Sequence, residues 1–308
     1  MPGVAFTADG SSLAAGGCGW VELFSLADDT RLGVECDGTA VVYAFDLDPL
    51  GRRLYLSKPH CGCSFLDLPS RRWVRPPGGE YDYHIPSLSR TADGTRLALS
   101  RGGYGYNRVE CWDTPRNGEM VLRWAAQERR VMTTRPESYS TRDNWFANGV
   151  AFSPDGRTLA TVENSSPELV AHNGVHLRDA DTGHVRATIG TFPVSVGFRV
   201  MFTPDGSLLI GHEAQWLELL STSGEVVGKL KPPGRAHFRA AAVHPNSKWL
   251  VTVGHDGASR FWELPSLRPG RLLKWDVGKL HSVAFSPDGM LVAAGGDKGR
   301  VVVWDFEL

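Results

Sequence analysis

The chain has 308 residues, 42% of them apolar and 22% charged, and its 33 basic and 34 acidic side chains leave a formal net charge of −1. A balance so close to neutral provides no electrostatic footprint for nucleic acid, and no apolar run reaches the ~18 residues of a membrane-spanning helix. The opening Met1-Pro2-Gly3-Val4 lacks the basic and apolar regions of a signal peptide, and Cys18, Cys36, Cys61, Cys63 and Cys111 are scattered as in a reducing compartment, so a cytoplasmic protein is expected, with neither nucleic acid nor membrane as partner.

A first short strand is predicted around Val4, closed by Phe6-Thr7-Ala8-Asp9-Gly10. Pro or Ala, then Asp, then Gly is the chemistry of a tight turn: Pro presets a dihedral, Asp bonds its own backbone, and Gly accepts a positive φ. Versions of the phrase return at 47–51, 90–94, 152–156, 202–206, 243–247 and 285–289, so its last residue advances by 41, 43, 62, 50, 41 and 42. A period near forty with two longer steps predicts an array of like units carrying two insertions. Inner strands are expected near Val4, Val42, Leu88, Val150, Val200, Ala242 and Val283. Outer, fourth strands are expected at 30–35, 71–75, 120–124, 185–189, 225–230 and 271–275. Four short antiparallel strands per unit predict an all-β fold, a seven-bladed propeller. The seventh unit stops after a third strand at 300–305, so its blade is expected to lack an outer strand and to leave Val301-Val302-Val303-Trp304 on an open edge. That edge calls for a strand donor: an upstream segment, another domain or a partner.

Third strands end in Trp112-Asp113, Trp262-Glu263 and Trp304-Asp305, with echoes at Phe65-Leu66-Asp67 and Leu177-Arg178-Asp179. Together with the Ser-Pro-Asp-Gly turns, these residues make nearly the whole chain resemble the WD40 repeat family. The resemblance implies a single WD40-like propeller over 1–308, or the C-terminal part of a longer protein, that binds partners on one loop face. One departure is clear: the Gly-His pair that precedes the first strand in that family is missing, because Gly211-His212 and Gly254-His255 follow a second strand. The family's His-Asp-Ser-Trp network is therefore not carried over, although Asp256 and Asp297 hold its Asp position and are expected to tie down their turns.

Function is sought where the units differ. The two insertions fall at 126–148 and 163–173, on the face that carries the turns between second and third strands. Tyr81, Tyr83, Arg101, Tyr104, Tyr106, Trp145 and Phe146 gather in the loops of units two to four, the rings as partner anchors and Arg101 as a forked donor to a carboxylate. The competing reading is that these rings only pack their loops. Trp73, Trp124 and Trp275 on outer strands are expected between blades, and Trp112, Trp262 and Trp304 in the core. His60-Cys61-Gly62-Cys63 has metal-ligand residue types, but its spacing is too tight for a zinc knuckle, so it is read as a loop without metal. No nucleophile elbow, zinc-protease helix, phosphate loop or dinucleotide fingerprint is present, and the adjacent pairs His212-Glu213 and His255-Asp256 should point apart on extended backbone. The expectation is a noncatalytic scaffold with no cofactor, binding a protein or peptide. The alternatives are a propeller hydrolase or lyase with a polar site at the channel mouth, and the sensor domain of a longer protein.

Overall fold

A computed structural model describes residues 3–17, 20–35, 44–48, 51–58, 62–68, 70, 72–74, 84–102, 108–115, 119–127, 146–164, 174–189, 198–212, 216–234 and 237–307. The turn phrases close hairpins: in the first, Gly10 N–H donates to Thr7 O over 2.9 Å with Gly10 at φ +71°. Blade 1 is β1 (Gly3–Phe6), β2 (Ser12–Gly17), β3 (Trp20–Ser25) and β4 (Arg31–Glu35), and blade 2 is β5 (Ala44–Leu47), β6 (Arg53–Lys58), β7 (Gly62–Asp67) and β8 (Arg72–Val74). Blade 3 is β9 (His84–Arg90), β10 (Arg96–Gly102), β11 (Arg108–Asp113) and β12 (Val121–Gln127), and blade 4 is β13 (Phe146–Phe152), β14 (Thr158–Asn164), β15 (Gly174–Asp179) and β16 (Val185–Ile189). Blade 5 is β17 (Phe198–Phe202), β18 (Leu208–His212), β19 (Trp216–Leu220) and β20 (Val226–Leu230), and blade 6 is β21 (Phe238–Val243), β22 (Trp249–Gly254), β23 (Ala258–Glu263) and β24 (Arg268–Lys274). Blade 7 is β25 (Leu280–Phe285), β26 (Leu291–Gly296) and β27 (Val301–Asp305).

Every sheet pairs its strands in sequence order, six of them four-stranded and the seventh three-stranded. The expected inner strands all appear, apart from Val42, which lies outside the described residues. The outer strand of blade 6 starts earlier than expected, at Arg268.

Each blade is apolar on both faces, so no blade can bury its core alone. Seven clusters do this jointly, each straddling two neighbours: Ala14 and Val21 meet Leu47 and Leu54 between blades 1 and 2, and Ala151 and Val162 meet Val200 and Ile210 between blades 4 and 5. Hydroxyls reinforce the seam between blades 3 and 4, where Ser87 and Ser89 accept from the N–H groups of Val150 and Phe152. The ring closes by packing of Val4, Phe6, Leu13 and Ala15 on Ala293, Leu291 and Val301.

Among the described residues no strand pairs with the outer side of β27, and this changes the environment of blade 7. Trp112 and Trp262 are 4% and 8% exposed, as expected of core residues, but Trp304, on the edge strand β27, is only half-buried. Its ring stacks on Trp275 at 4.8 Å. With Trp249, Phe261, Leu273 and Phe306 it lines an apolar recess of about 200 Å³ between blades 6 and 7. Trp124 bridges blades as expected, donating from Nε1 to Ala180 O at 2.9 Å, whereas the side chain of Trp73 lies outside the described residues.

Candidate binding face

In an antiparallel blade, the turn from second to third strand and the connection from outer strand to the next blade leave at the same end. The strand ends that flank 75–83, 103–107, 128–145 and 165–173 therefore open onto one face. Tyr81, Tyr83, Tyr104, Tyr106 and Trp145 lie in those segments, outside the described residues. Phe146 is the first residue of β13, paired with Asn164; its backbone is described and its side chain is not.

Arg101 is elsewhere. Instead of opening a loop, it continues β10, opposite Arg108 of β11, and only 2% of it is exposed. Its guanidinium does find a carboxylate, but within the chain: Nε donates to Glu110 Oε2 at 2.6 Å, the oxygen that also accepts from Trp112 Nε1 at 2.9 Å, while Arg108 contacts the other oxygen. The expectation of an exposed donor at Arg101 is thus corrected. A buried carboxylate needs such partners, and the backbone register delivers them. Blade 4 repeats the device, with Glu163, expected in a loop, lying on β14 and accepting from Arg178 Nη2 at 2.6 Å and Thr161 Oγ1 at 2.7 Å. Gly62 and Cys63, also expected in a loop, belong to β7, and His60 and Cys61 lie outside the described residues. Among the described residues no group of His, Cys, Asp and Glu has the geometry of a metal site.

The described part of this face that carries charge is the channel mouth at blades 5 to 7. His255 and Asp256 diverge as expected: the His255 ring accepts from Arg239 Nε, while Asp256 binds the Ala258 N–H and the Arg260 guanidinium. His281 Nε2 donates to Asp297 Oδ1 at 2.8 Å, and the other Asp297 oxygen accepts from the Lys279 N–H at 2.9 Å, so both turn aspartates fasten their turns. The second nitrogen of His281 is buried without a hydrogen-bond partner, which leaves the His281-Asp297 couple no route to a substrate proton. Burial, and then the charges of Arg239 and Lys279, hold the His255 imidazole below its ordinary pKa. Arg199, on inner strand β17, is solvent-exposed. Arg199 and His281 were not singled out from sequence. The available signal was positional, because Arg239 and His281 both stand eight residues before their turn residues Ser247 and Gly289.

The profile of the family described as WD domain, G-beta repeat, matches residues 224–263 and 274–305. These matches end on the Trp262-Glu263 and Trp304-Asp305 strands of blades 6 and 7, and the other five sheets repeat the same unit around the ring. Blades 6 and 7 thus carry WD40 repeats within a seven-bladed ring. The chain is 32% identical over 71 residues to the Protein LST8 homolog of Drosophila melanogaster, covering 23% of either chain. It is 29% identical over 104 residues to the serine-threonine kinase receptor-associated protein of Rattus norvegicus, covering 33% of this chain and 29% of that one. The matched stretches thus span less than a third of these relatives. Among solved structures, a chain of the mitotic checkpoint complex superposes with a TM-score of 0.75 at 16% identity, over 99% of this WD40 chain and 89% of the other. The Cps50 (Swd1) β-propeller domain of Myceliophteria thermophila superposes with a TM-score of 0.74 at 14% identity, over 99% and 96%. Identities this low speak for the fold alone.

Proposed function

We propose that this WD40 propeller is a noncatalytic cytoplasmic scaffold that holds a protein or peptide on its loop face. The observation that carries the reading is that both insertions and the aromatic-rich connections of blades 2 to 4 leave the ring at one end, where a partner could meet them together. A relative named as receptor-associated supports a protein partner. Tyr81, Tyr83, Tyr104, Tyr106, Trp145 and Phe146 are the proposed anchors, since large rings bury much area for little rotamer entropy. Arg101, buried on β10, is part of the blade and not of the contact surface.

The open side of β27 and the apolar recess beside it favour a second contact, a donated strand that completes blade 7. Affinity capture from native cells with the intact chain as bait tests the loop-face reading. Tyr104→Ala and Trp145→Ala should each weaken capture of the recovered partner at least tenfold, about 1.4 kcal/mol, without lowering the melting temperature. Undiminished capture by both, with loss in Asp155→Lys and Asp205→Lys on the opposite face, would move the site.

A further inference from the structure

We propose that the open edge of β27 takes an extended segment of a partner protein, antiparallel to β27, in which an apolar residue is followed directly by an arginine. The apolar side chain enters the recess between blades 6 and 7, and the arginine pairs with Asp305. This deepens the strand contact proposed above, on which it rests, and is independent of the loop face.

A charge pattern recurs from blade to blade. The third strand ends in an acid in five of them, at Asp67, Asp113, Asp179, Glu263 and Asp305. The first four each face an arginine of their own outer strand. Arg123 Nε donates to Asp113 Oδ1 at 2.8 Å and Arg186 contacts Asp179, while the pairing register sets Arg72 opposite Asp67 and Arg268 opposite Glu263. Asp305 is exposed, and among the described residues it has neither an outer strand beside it nor an ion-pair partner.

Blades 3 and 4 show where such an arginine stands. The pairing of third with outer strand shifts between Cys111 and Trp112 and between Leu177 and Arg178, and the residue left unpaired is Arg123 in one case and Arg186 in the other. A bulge re-aims the extra side chain, here back onto the acid. The residue just before the arginine, Leu122 or Val185, stands opposite the one that precedes the acid, which in blade 7 is Trp304. Residues directly opposite in an antiparallel pair share a face, so the matching residue of an added strand joins Trp304 on the side of the recess.

The recess fits that role. Trp304, Phe306, Trp249, Phe261 and Leu273 enclose about 200 Å³. A small-molecule site usually offers ~300–1,000 Å³, so this one suits a single large side chain. It also adjoins a strand edge, and strand addition combines main-chain pairing with such side-chain pockets. A second copy fits less well, because its own edge, Val301–Asp305, carries no arginine to meet Asp305.

A labelled synthetic peptide with the sequence of residues 119–127, which spans β12 and holds Leu122 before Arg123, serves as the probe. It should bind the intact chain saturably in a fluorescence anisotropy titration. Val303→Lys, which puts a charge on the edge, should weaken binding at least tenfold with an unchanged melting temperature. A peptide with Arg123→Glu should bind the wild type about fivefold more weakly, the upper range for an exposed ion pair, and the Asp305→Arg chain should prefer it to the original sequence. Tyr104→Ala and Trp145→Ala, which test the loop face, should leave peptide binding unchanged. Absence of saturable binding by either peptide overturns strand addition and the proposal with it. Equal binding of the two peptides to the wild type overturns the arginine assignment while strand addition stands. A dimer that the peptide does not dissociate would make a second copy the occupant and overturn the proposal.

Discussion

At the scale of single residues, the turns rest on a hydroxyl that stands two positions before the Asp. Thr7, Thr91, Ser153 and Ser286 donate to Oδ1 of Asp9, Asp93, Asp155 and Asp288 at 2.5 to 2.6 Å, and the same oxygens accept from the N–H groups of Ser11, Thr95, Arg157 and Met290 at 2.9 to 3.0 Å. The Thr7 hydroxyl first, and then the Ser11 N–H, bring Asp9 down to about 2; Ser153 and Ser286 lead the lowering of Asp155 and Asp288. A folded pKa below the unfolded value stabilises above the unfolded value near 4, and that contribution is lost as pH falls through the folded one. The melting temperature should therefore fall slightly as pH drops through about 6.5, where His255 takes up its proton more readily in the unfolded chain, and steeply between about pH 4 and 2, with a smaller acid drop in Thr7→Val. A thermal series that is flat to pH 2 would contradict it. Blade 6 replaces the hydroxyl with His244, whose Nδ1 accepts from the Asn246 N–H while Nε2 reaches Gly289 O at 3.1 Å, linking its turn to the next blade's. A Cβ at Gly289 would lie 2.4 Å from that ring, at a φ of +77°. Gly289→Ala should cost about 2 kcal/mol or more in urea unfolding, and adding His244→Ser should recover the steric part but leave the backbone strain. Equal losses in both backgrounds would remove His244 from the account.

At the scale of strands, the turns were legible because their chemistry is local: Asp, Gly and Pro act within a few residues, so the first hairpin of each unit could be read along the chain. The ion networks were not legible. Glu110 meets Arg101 only because β10 runs on to Gly102, through residues that look like the start of a glycine-tyrosine loop, and because pairing sets it opposite Leu99, two residues from Arg101. Phe306 was missed for a related reason, lying past the last strand yet packing on His244, Phe261 and Phe285 at 4.8 to 5.4 Å. The Arg101-Glu110 pair gives the sharpest energetic expectation. Arg101→Ala leaves a fully buried carboxylate short of its main partner and should destabilise by about 3–5 kcal/mol, whereas replacing both partners with apolar residues of similar volume should cost much less. Urea midpoints of the single and double variants decide this, and a single variant within about 0.5 kcal/mol of wild type would mean that Arg108 and Trp112 suffice.

At the scale of the molecule, stability resides in seven shared interfaces, so the ring is only as secure as its weakest rim. Most outer strands carry charge, such as Arg31 and Glu35 on β4, Arg186 on β16, Lys229 on β20 and Arg268, Arg271 and Lys274 on β24. Charge on an edge discourages pairing with another chain. On β27 the run Val301-Val302-Val303-Trp304 is uncharged until Asp305, and Val301 and Val302 are tied into the clusters on either side of the blade. Val303 is free of both clusters and 40% exposed, and among the described residues no strand pairs with the backbone along the same edge. An uncharged β-branched edge next to an apolar recess is a template for a further strand, whether donated by a partner or by a second copy. Without a donor, the protein should self-associate as its concentration rises. Val303→Lys should suppress that association while changing unfolding free energy by no more than about 0.5 kcal/mol, because a surface valine gives up little packing and lysine can lay its stem along the sheet. Sedimentation velocity and light scattering across a concentration series measure both proteins, and association undiminished in Val303→Lys would show that the β27 edge is not where copies meet.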